Sequence, residues 1–109
     1  MSVEIIHDNK CLTAVITGEL DHHSAADIRI AVEGELERSM PDMLVFDMDG
    51  VTFMDSSGVG LILGRARTVK QWGGKVRISR PSPRAEKILK LSGLSGLIAG
   101  KPTGKETAK

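Results

Sequence analysis

The stretch Met54-Asp-Ser-Ser-Gly-Val-Gly60 joins two segments with different hydrophobic patterns. Before it, residues 43–48 are an almost continuous apolar run, which is typical of a strand covered on both faces of a parallel sheet. After it, apolar residues recur at spacings of three and four and mark one face of a predicted helix: Val59, Ile62, Ala66 and Val69. The pattern therefore predicts that two serines lie where a sheet leads into a helix.

A serine at such a junction has two possible roles. The first turn of a helix leaves N–H groups unpaired and carries the positive end of the helix dipole, so it accepts an anion readily. Ser56 or Ser57 can cap the predicted helix, which runs from about Ser57 to Gln71, and the same hydroxyl can be a reacting or modified group. Gly58 and Gly60 remove side-chain bulk, so the backbone of another molecule could approach here.

Composition limits the class of protein. The chain has 109 residues, which is the size of one domain, and a formal net charge of +1, which gives no strong attraction to nucleic acid or acidic membranes. Its one cysteine, Cys11, excludes an intrachain disulfide and fits a reducing compartment. The sequence has no apolar run near the roughly 20 residues of a membrane span, and its start lacks a signal-peptide pattern. We expect a cytoplasmic protein without direct nucleic-acid or membrane partners.

Working outward from the central stretch, strand and helix patterns alternate. Strands are predicted at residues 3–7, 11–17, 43–48 and 75–79, with a short last one at Leu97-Ile98. Helices are predicted from a cap at Ser24 to Ser39, from about Ser57 to Gln71, and from a cap at Ser82 to Gly93. Residues 18–23 are interpreted as a polar connection and residues 49–51 as a turn. This order predicts an α/β fold, a mixed four- to five-stranded sheet with an edge hairpin and packed helices.

The last nine residues differ in composition from the rest of the chain. Residues 1–100 are predicted to form the domain. Residues 101–109 are rich in lysine, glycine and threonine and have nothing to bury, so we expect a disordered tail.

Three kinds of chemistry are poorly supported by the motifs. A serine hydrolase could use Ser56 with Asp21 and a histidine, His22 or His23, but the nucleophile-elbow pattern places glycine two positions before the serine, where this chain has Met54. The glycine-rich run after the serines lacks the Lys-Ser/Thr pair of a phosphate-binding loop. Adjacent histidines do not converge easily on one metal ion. We therefore expect no catalytic residues, no metal site and no cofactor.

Three motifs in combination carry a resemblance to a known family. Gly-Glu-Leu-Asp-His-His at 18–23, Phe-Met-Asp-Ser-Ser-Gly at 53–58 and Leu-Gly-Arg at 63–65 closely resemble the anti-sigma-factor antagonists of the STAS domain family. The nearest likeness is to the sporulation antagonists of endospore-forming bacteria. The resemblance covers roughly residues 3–98 and implies the STAS fold. Those antagonists continue into a further C-terminal helix, which we expect to be missing or shortened here.

The resemblance also implies a function. In that family the serine directly after the motif's aspartate is phosphorylated, which corresponds to Ser56, and the implied partner-binding residues around it are Asp21, Asp55, Ser57 and Gly58. The implied partners are an anti-sigma factor that is also an ATP-dependent serine kinase, and a serine phosphatase. The protein would then be a ligand and a substrate, not an enzyme. A STAS scaffold of another signalling or transport complex is the alternative.

Overall fold

The computed structural model describes residues 2–99, which form strands and helices in alternation. The strands are β1 (Ser2–Asp8), β2 (Cys11–Leu20), β3 (Met43–Met54) and β4 (Lys75–Ser79). The helices are α1 (His22–Ser39), α2 (Ser56–Lys70) and α3 (Pro83–Leu91), followed by a 3-10 turn at Ser95–Leu97. The predicted tail at residues 101–109, the end of the predicted domain at residue 100 and the expected loss of a C-terminal helix lie outside the described residues.

All four strands lie in one sheet, in the order β1-β2-β3-β4. β1 and β2 pair antiparallel through a turn at Asn9, whose φ of 57° places it in the left-handed region that asparagine tolerates. β2, β3 and β4 pair parallel, with α1 and α2 as the crossovers between them. The predicted α/β fold, with an edge hairpin and a largely parallel remainder, is confirmed.

One face of the sheet forms the core. Alternate residues of β2, β3 and β4 are fully or almost fully buried there: Leu12, Ala14, Ile16, Leu44, Phe46, Met48, Val76 and Ile78. The helices close this face with Ile28, Val32, Leu36, Val59, Ile62, Val69, Ala85 and Leu89. The spacing-based prediction of the inner face of α2 is confirmed for Val59, Ile62 and Val69, and the fourth predicted residue, Ala66, is partly buried against the same cluster.

The other face of the sheet is open, which corrects the prediction that the third strand is covered on both faces. Met43, Val45 and Asp47 of β3 are only half-buried. The strands β2, β3 and β4 follow one another across the sheet in a single direction, so right-handed crossovers place α1 and α2 on the same face. The apolar run therefore reflects strand preference as well as burial.

The strands β2 and β3 are longer than predicted, and the predicted connection at 18–23 and turn at 49–51 are wrong. Thr17 to Leu20 continue to pair with Gly50 to Met54, with register shifts between Val15 and Thr17 and between Gly18 and Glu19. These irregularities let polar residues and glycine remain in the ladder. A Cβ at Gly50 would lie 3.3 Å from the Ile16 carbonyl oxygen, so glycine permits this close pairing.

The boundaries of the other elements agree better with their sequence signals. β4 matches its predicted bounds, and α3 begins at Pro83 behind a Ser82 cap, as predicted. The predicted last strand is instead a single bridge between Ile98 and Ile78 after the 3-10 turn. None of the helices within residues 2–99 is both long and apolar enough to cross a membrane.

Candidate functional site

Two aspartates begin neighbouring helices at the same edge of the sheet. Leu20 pairs with Met54 at the ends of β2 and β3, and the Asp55 N–H donates to the Leu20 carbonyl at 3.3 Å. Asp21 and Asp55 follow these paired residues directly. Open α/β sheets bind ligands at the carboxyl ends of their parallel strands, so this edge is the candidate functional site. The structure thus brings the two predicted site aspartates to neighbouring positions.

Asp55 is the cap of α2, which corrects the prediction that Ser56 or Ser57 caps this helix. The Asp55 backbone is extended, its carboxylate accepts from the Ser57 N–H at 2.8 Å, and its carbonyl accepts from the Gly58 N–H at 3.0 Å. A carboxylate also favours the positive end of the helix dipole. Because the aspartate holds the cap, neither serine hydroxyl is needed for it.

Ser56 is the first residue of α2 and is exposed to solvent. Its hydroxyl has no hydrogen-bond partner among residues 2–99. Ser57 is half-buried and faces a groove between α1 and α2. Of the two serines, Ser56 therefore presents the hydroxyl that a second protein reaches more easily.

Asp21 caps α1 through a reciprocal capping box, which replaces the predicted cap at Ser24. Its carboxylate accepts from the Ser24 N–H at 3.0 Å, while the Asp21 N–H donates to the Ser24 hydroxyl at 2.9 Å. The Ser24 hydroxyl in turn donates to the Glu19 carbonyl at 2.7 Å. The hydrogen bond from the Ser24 N–H favours the ionised carboxylate of Asp21 and so lowers its pKa. Desolvation of the carboxylate opposes this with a smaller effect.

This shift predicts a loss of stability in acid. A carboxyl whose folded pKa is lowered stabilises the fold above its unfolded pKa, and that contribution disappears as the pH falls below about 4. Asp21→Asn keeps a capping side chain but does not titrate, so its Tm should fall less than that of the wild type between pH 7 and pH 3. The lowered pKa of Glu35, which bonds to Arg38, contributes in the same range and is shared by both proteins. If the Tm of the wild type and of Asp21→Asn fell by the same amount between pH 7 and pH 3, the loss of stability in acid would not come from Asp21.

Gly58 is buried, and the space beside it is filled from within the chain. A Cβ there would lie 2.7 Å from Met54 Cγ and 3.0 Å from Leu20 Cδ2. Gly60, by contrast, is exposed and has no atom within 4 Å of such a Cβ. Gly58 thus lets α2 start close to the strand ends, and its predicted place in a partner interface stays a prediction.

Sequence reasoning missed an aromatic contact at the rim of this edge. Phe53 is 37% exposed, and the Arg84 guanidinium lies 5.7 Å from the centre of its ring. This distance is typical of a cation–π contact between β3 and the first turn of α3. From the sequence, the third strand was predicted to end at residue 48 and a turn to lie at 49–51. Phe53 was therefore not predicted to be an exposed strand residue, and its contact with Arg84 was not expected.

The structure gives no support to hydrolase or metal chemistry at this edge. Within the described part of the chain, Ser56 has no hydrogen bond to either neighbouring histidine, and His22 and His23 contact each other edge-on at 5.9 Å. No group of three or more histidine, cysteine, aspartate or glutamate side chains in residues 2–99 could hold a metal ion. What remains at this edge is an exposed serine hydroxyl at the start of one of two capped helices.

The chain is similar in sequence to proteins of one known family. The STAS domain family model matches residues 2–108. The anti-sigma F factor antagonist of Paenibacillus polymyxa is 33% identical over 94 residues, which are 86% of this chain and 80% of that protein.

Two solved structures extend the similarity to three dimensions. The anti-sigma factor antagonist SpoIIAA in its unphosphorylated form superimposes with a TM-score of 0.82 at 30% identity, covering 89% of this chain and 85% of that one. The Bacillus cell fate determinant SpoIIAA in the phosphorylated form gives 0.74 at 30% identity, covering 89% and 88%. The match of the family model along nearly the whole sequence, together with the four-stranded mixed sheet, shows that this chain belongs to the STAS domain family.

Proposed function

We propose that this protein is an anti-sigma-factor antagonist, and that phosphorylation of Ser56 switches off its binding to the anti-sigma factor. Similarity to antagonists over most of both chains supports the first part. The second part depends on one observation: the Ser56 hydroxyl at the start of α2 is exposed to solvent and has no hydrogen-bond partner within residues 2–99. SpoIIAA, which shares the fold, has been solved in both a phosphorylated and an unphosphorylated form.

The proposed docking surface consists of Asp21, Asp55, Ser56, Ser57 and Gly58. Its partner is an anti-sigma factor that also acts as a serine kinase, so the same contact brings Ser56 to bound ATP. Transfer of the γ-phosphoryl group to the Ser56 oxygen releases ADP and the hydroxyl proton, and a serine phosphatase removes the group by hydrolysis. The protein is thus a ligand and a substrate in this cycle. Because the partner acts on transcription, the proposed location is the cytoplasm.

The free protein should tolerate the phosphate. The group adds about −1.5 to −2 charges and three acceptor oxygens. It would lie at the start of α2, where the helix dipole and the backbone N–H groups favour an anion. The fold of the modified protein is therefore expected to change little.

The complex with the anti-sigma factor should not tolerate the phosphate on Ser56. Asp55 already places a carboxylate next to Ser56, and Asp21 places a second one at the neighbouring helix start. A docked partner excludes the water that screens these charges, and a bulky dianion must then fit into the contact. Like charges brought together across an interface cost several kcal/mol. The charge and volume of the phosphate are therefore sufficient to prevent binding of the partner without a large conformational change.

The direct test is a phosphorylation reaction followed by mass spectrometry. The protein is mixed with the anti-sigma kinase of its source organism and MgATP, and intact mass and peptide mapping locate the modification. Wild type and the matched control Ser57→Ala should each gain one phosphate on Ser56, while Ser56→Ala should gain none and still bind the kinase. Phosphate on Ser57, or a failure of wild type to bind the kinase, would overturn the proposal.

A further inference from the structure

The face of the sheet that the helices leave open has an apolar centre. Side chains alternate along each strand, and the pairing of β1 to β4 places one set of them on the side away from the helices. In the middle of this open face are half-buried side chains of β2 and β3, most of them apolar: Cys11, Thr13, Val15, Met43 and Val45. Ile6 of β1 pairs with Thr13 beside them and is 46% exposed. The open face therefore offers apolar surface that α1, α2 and α3 do not cover.

The two margins of the open face carry opposite charges. β1 contributes two acidic side chains and β4 two basic ones, and all four are exposed: Glu4 and Asp8, and Lys75 and Arg77. None of the four has an ion pair or a side-chain hydrogen bond with another group in residues 2–99. Asp47, the acidic residue of the open face on β3, is by contrast bound by Arg80 at 2.6 Å. β1 and β4 are three strand spacings apart, about 14 Å, which is too far for the free acids and bases to pair within one chain.

A face with this charge pattern is complementary to itself. When two copies lie face to face, a two-fold axis parallel to the strands places β1 of each copy over β4 of the other. An axis perpendicular to the strands, in the same plane, would instead place β1 over β1 and bring like charges together. From this geometry we propose that the open face binds a second copy of this chain, in a dimer whose two-fold axis runs along the strands.

The rows of the sheet add a specific contact. Asp8, Cys11, Met43 and Lys75 are paired in one row across the four strands. A two-fold axis along the strands keeps this row level in both copies, so Asp8 of each copy would face Lys75 of the other. This contact forms twice, because the symmetry repeats it. Between the two contacts, the apolar centres of the two open faces would pack together, as in the aligned packing of two sheets.

The contact is small and lies away from the proposed switch. Four strands about 4.8 Å apart and about seven residues long, at about 3.3 Å per residue, present roughly 400 Å² per copy. An interface of this size is typical of weak, transient complexes, so the dimer should form between about 10 µM and 1 mM protein. The row with Asp8 lies at the amino ends of β2, β3 and β4, whereas Ser56 follows the carboxyl end of β3. The proposed dimer is therefore independent of the proposed phosphorylation.

Sedimentation equilibrium of the full chain across this concentration range, at low salt, measures the association. The wild type should shift from monomer to dimer as the concentration rises. Asp8→Lys and Lys75→Glu each create two like-charge contacts in the dimer, so each should associate at least about ten-fold more weakly. Glu37→Lys makes a charge change of the same size as Asp8→Lys at an exposed position of α1, away from the open face, and should associate like the wild type.

Mixing the two weakened variants separates a second copy from any occupant within the chain. In a heterodimer of Asp8→Lys with Lys75→Glu, a lysine faces a glutamate in one contact and an aspartate faces a lysine in the other. An equimolar mixture should therefore associate about as strongly as the wild type, whereas an intrachain occupant of the open face could not respond to mixing. A wild type that stays monomeric throughout the concentration range, single variants that associate as the wild type does, or a mixture that stays monomeric would each overturn the proposal.

Discussion

Ser56→Asp is expected to bind the anti-sigma factor about 100-fold more weakly than Ser56→Asn, which corresponds to about 2.7 kcal/mol. The two side chains have nearly the same size, so the difference isolates the negative charge. Asp55 and Asp21 already place carboxylates at this edge, and a third one would be desolvated beside them when the partner docks. Isothermal titration with the purified anti-sigma factor measures both affinities under one set of conditions.

A folding control separates binding from stability. An acidic side chain in the first turn of α2 lies near the positive end of the helix dipole, so Ser56→Asp should be at least as stable as the wild type. Ser56→Ala should bind like the wild type. If Ser56→Asn loses as much affinity as Ser56→Asp, volume rather than charge is responsible. If phosphorylation shifts amide signals far from Ser56, a conformational change has to replace the local block.

The sequence predicted the parts of the fold that depend on local pattern. The apolar spacing of Val59, Ile62 and Val69 indicated the inner face of α2, and the Ser82-Pro83 pair indicated the start of α3. The extensions of β2 and β3 were not predictable in this way. They depend on pairing between residues 17–20 and 50–54, which are far apart in sequence and individually polar or glycine-rich.

The site was predictable in its residues but not in its geometry. Aspartate and serine are both good capping residues, so the sequence could not decide which of them begins α2. The choice of capping residue matters because, with Asp55 as the cap, the Ser56 hydroxyl has no hydrogen-bond partner in the part of the chain that the structure describes. The groove between α1 and α2 has no sequence signal at all, since Arg29 and Arg65 line it together only when the two helices pack side by side.

Gly58→Ala is expected to destabilise the protein relative to Gly60→Ala by about 1–3 kcal/mol, the usual cost of overpacking a filled core. Both changes replace glycine with alanine in the first turns of α2, so both gain up to about 1 kcal/mol of helix propensity. They differ in what the new methyl group meets. At Gly58 it would lie 2.7 Å from Met54 Cγ and 2.9 Å from Met54 Sδ, whereas at Gly60 it would meet nothing within 4 Å.

Thermal unfolding of the two variants measures this difference, which should appear as a Tm gap of about 4 °C or more. Met54 and Leu20 are almost completely buried, so they can yield to the methyl group only by disturbing the paired ends of β2 and β3. That shift would also move Asp55 and Ser56, so the rate of Ser56 phosphorylation should fall in Gly58→Ala but not in Gly60→Ala. Equal Tm values would show that the Met54 side chain adjusts freely. Glycine at position 58 would then be needed for contact with a partner rather than for packing within the chain.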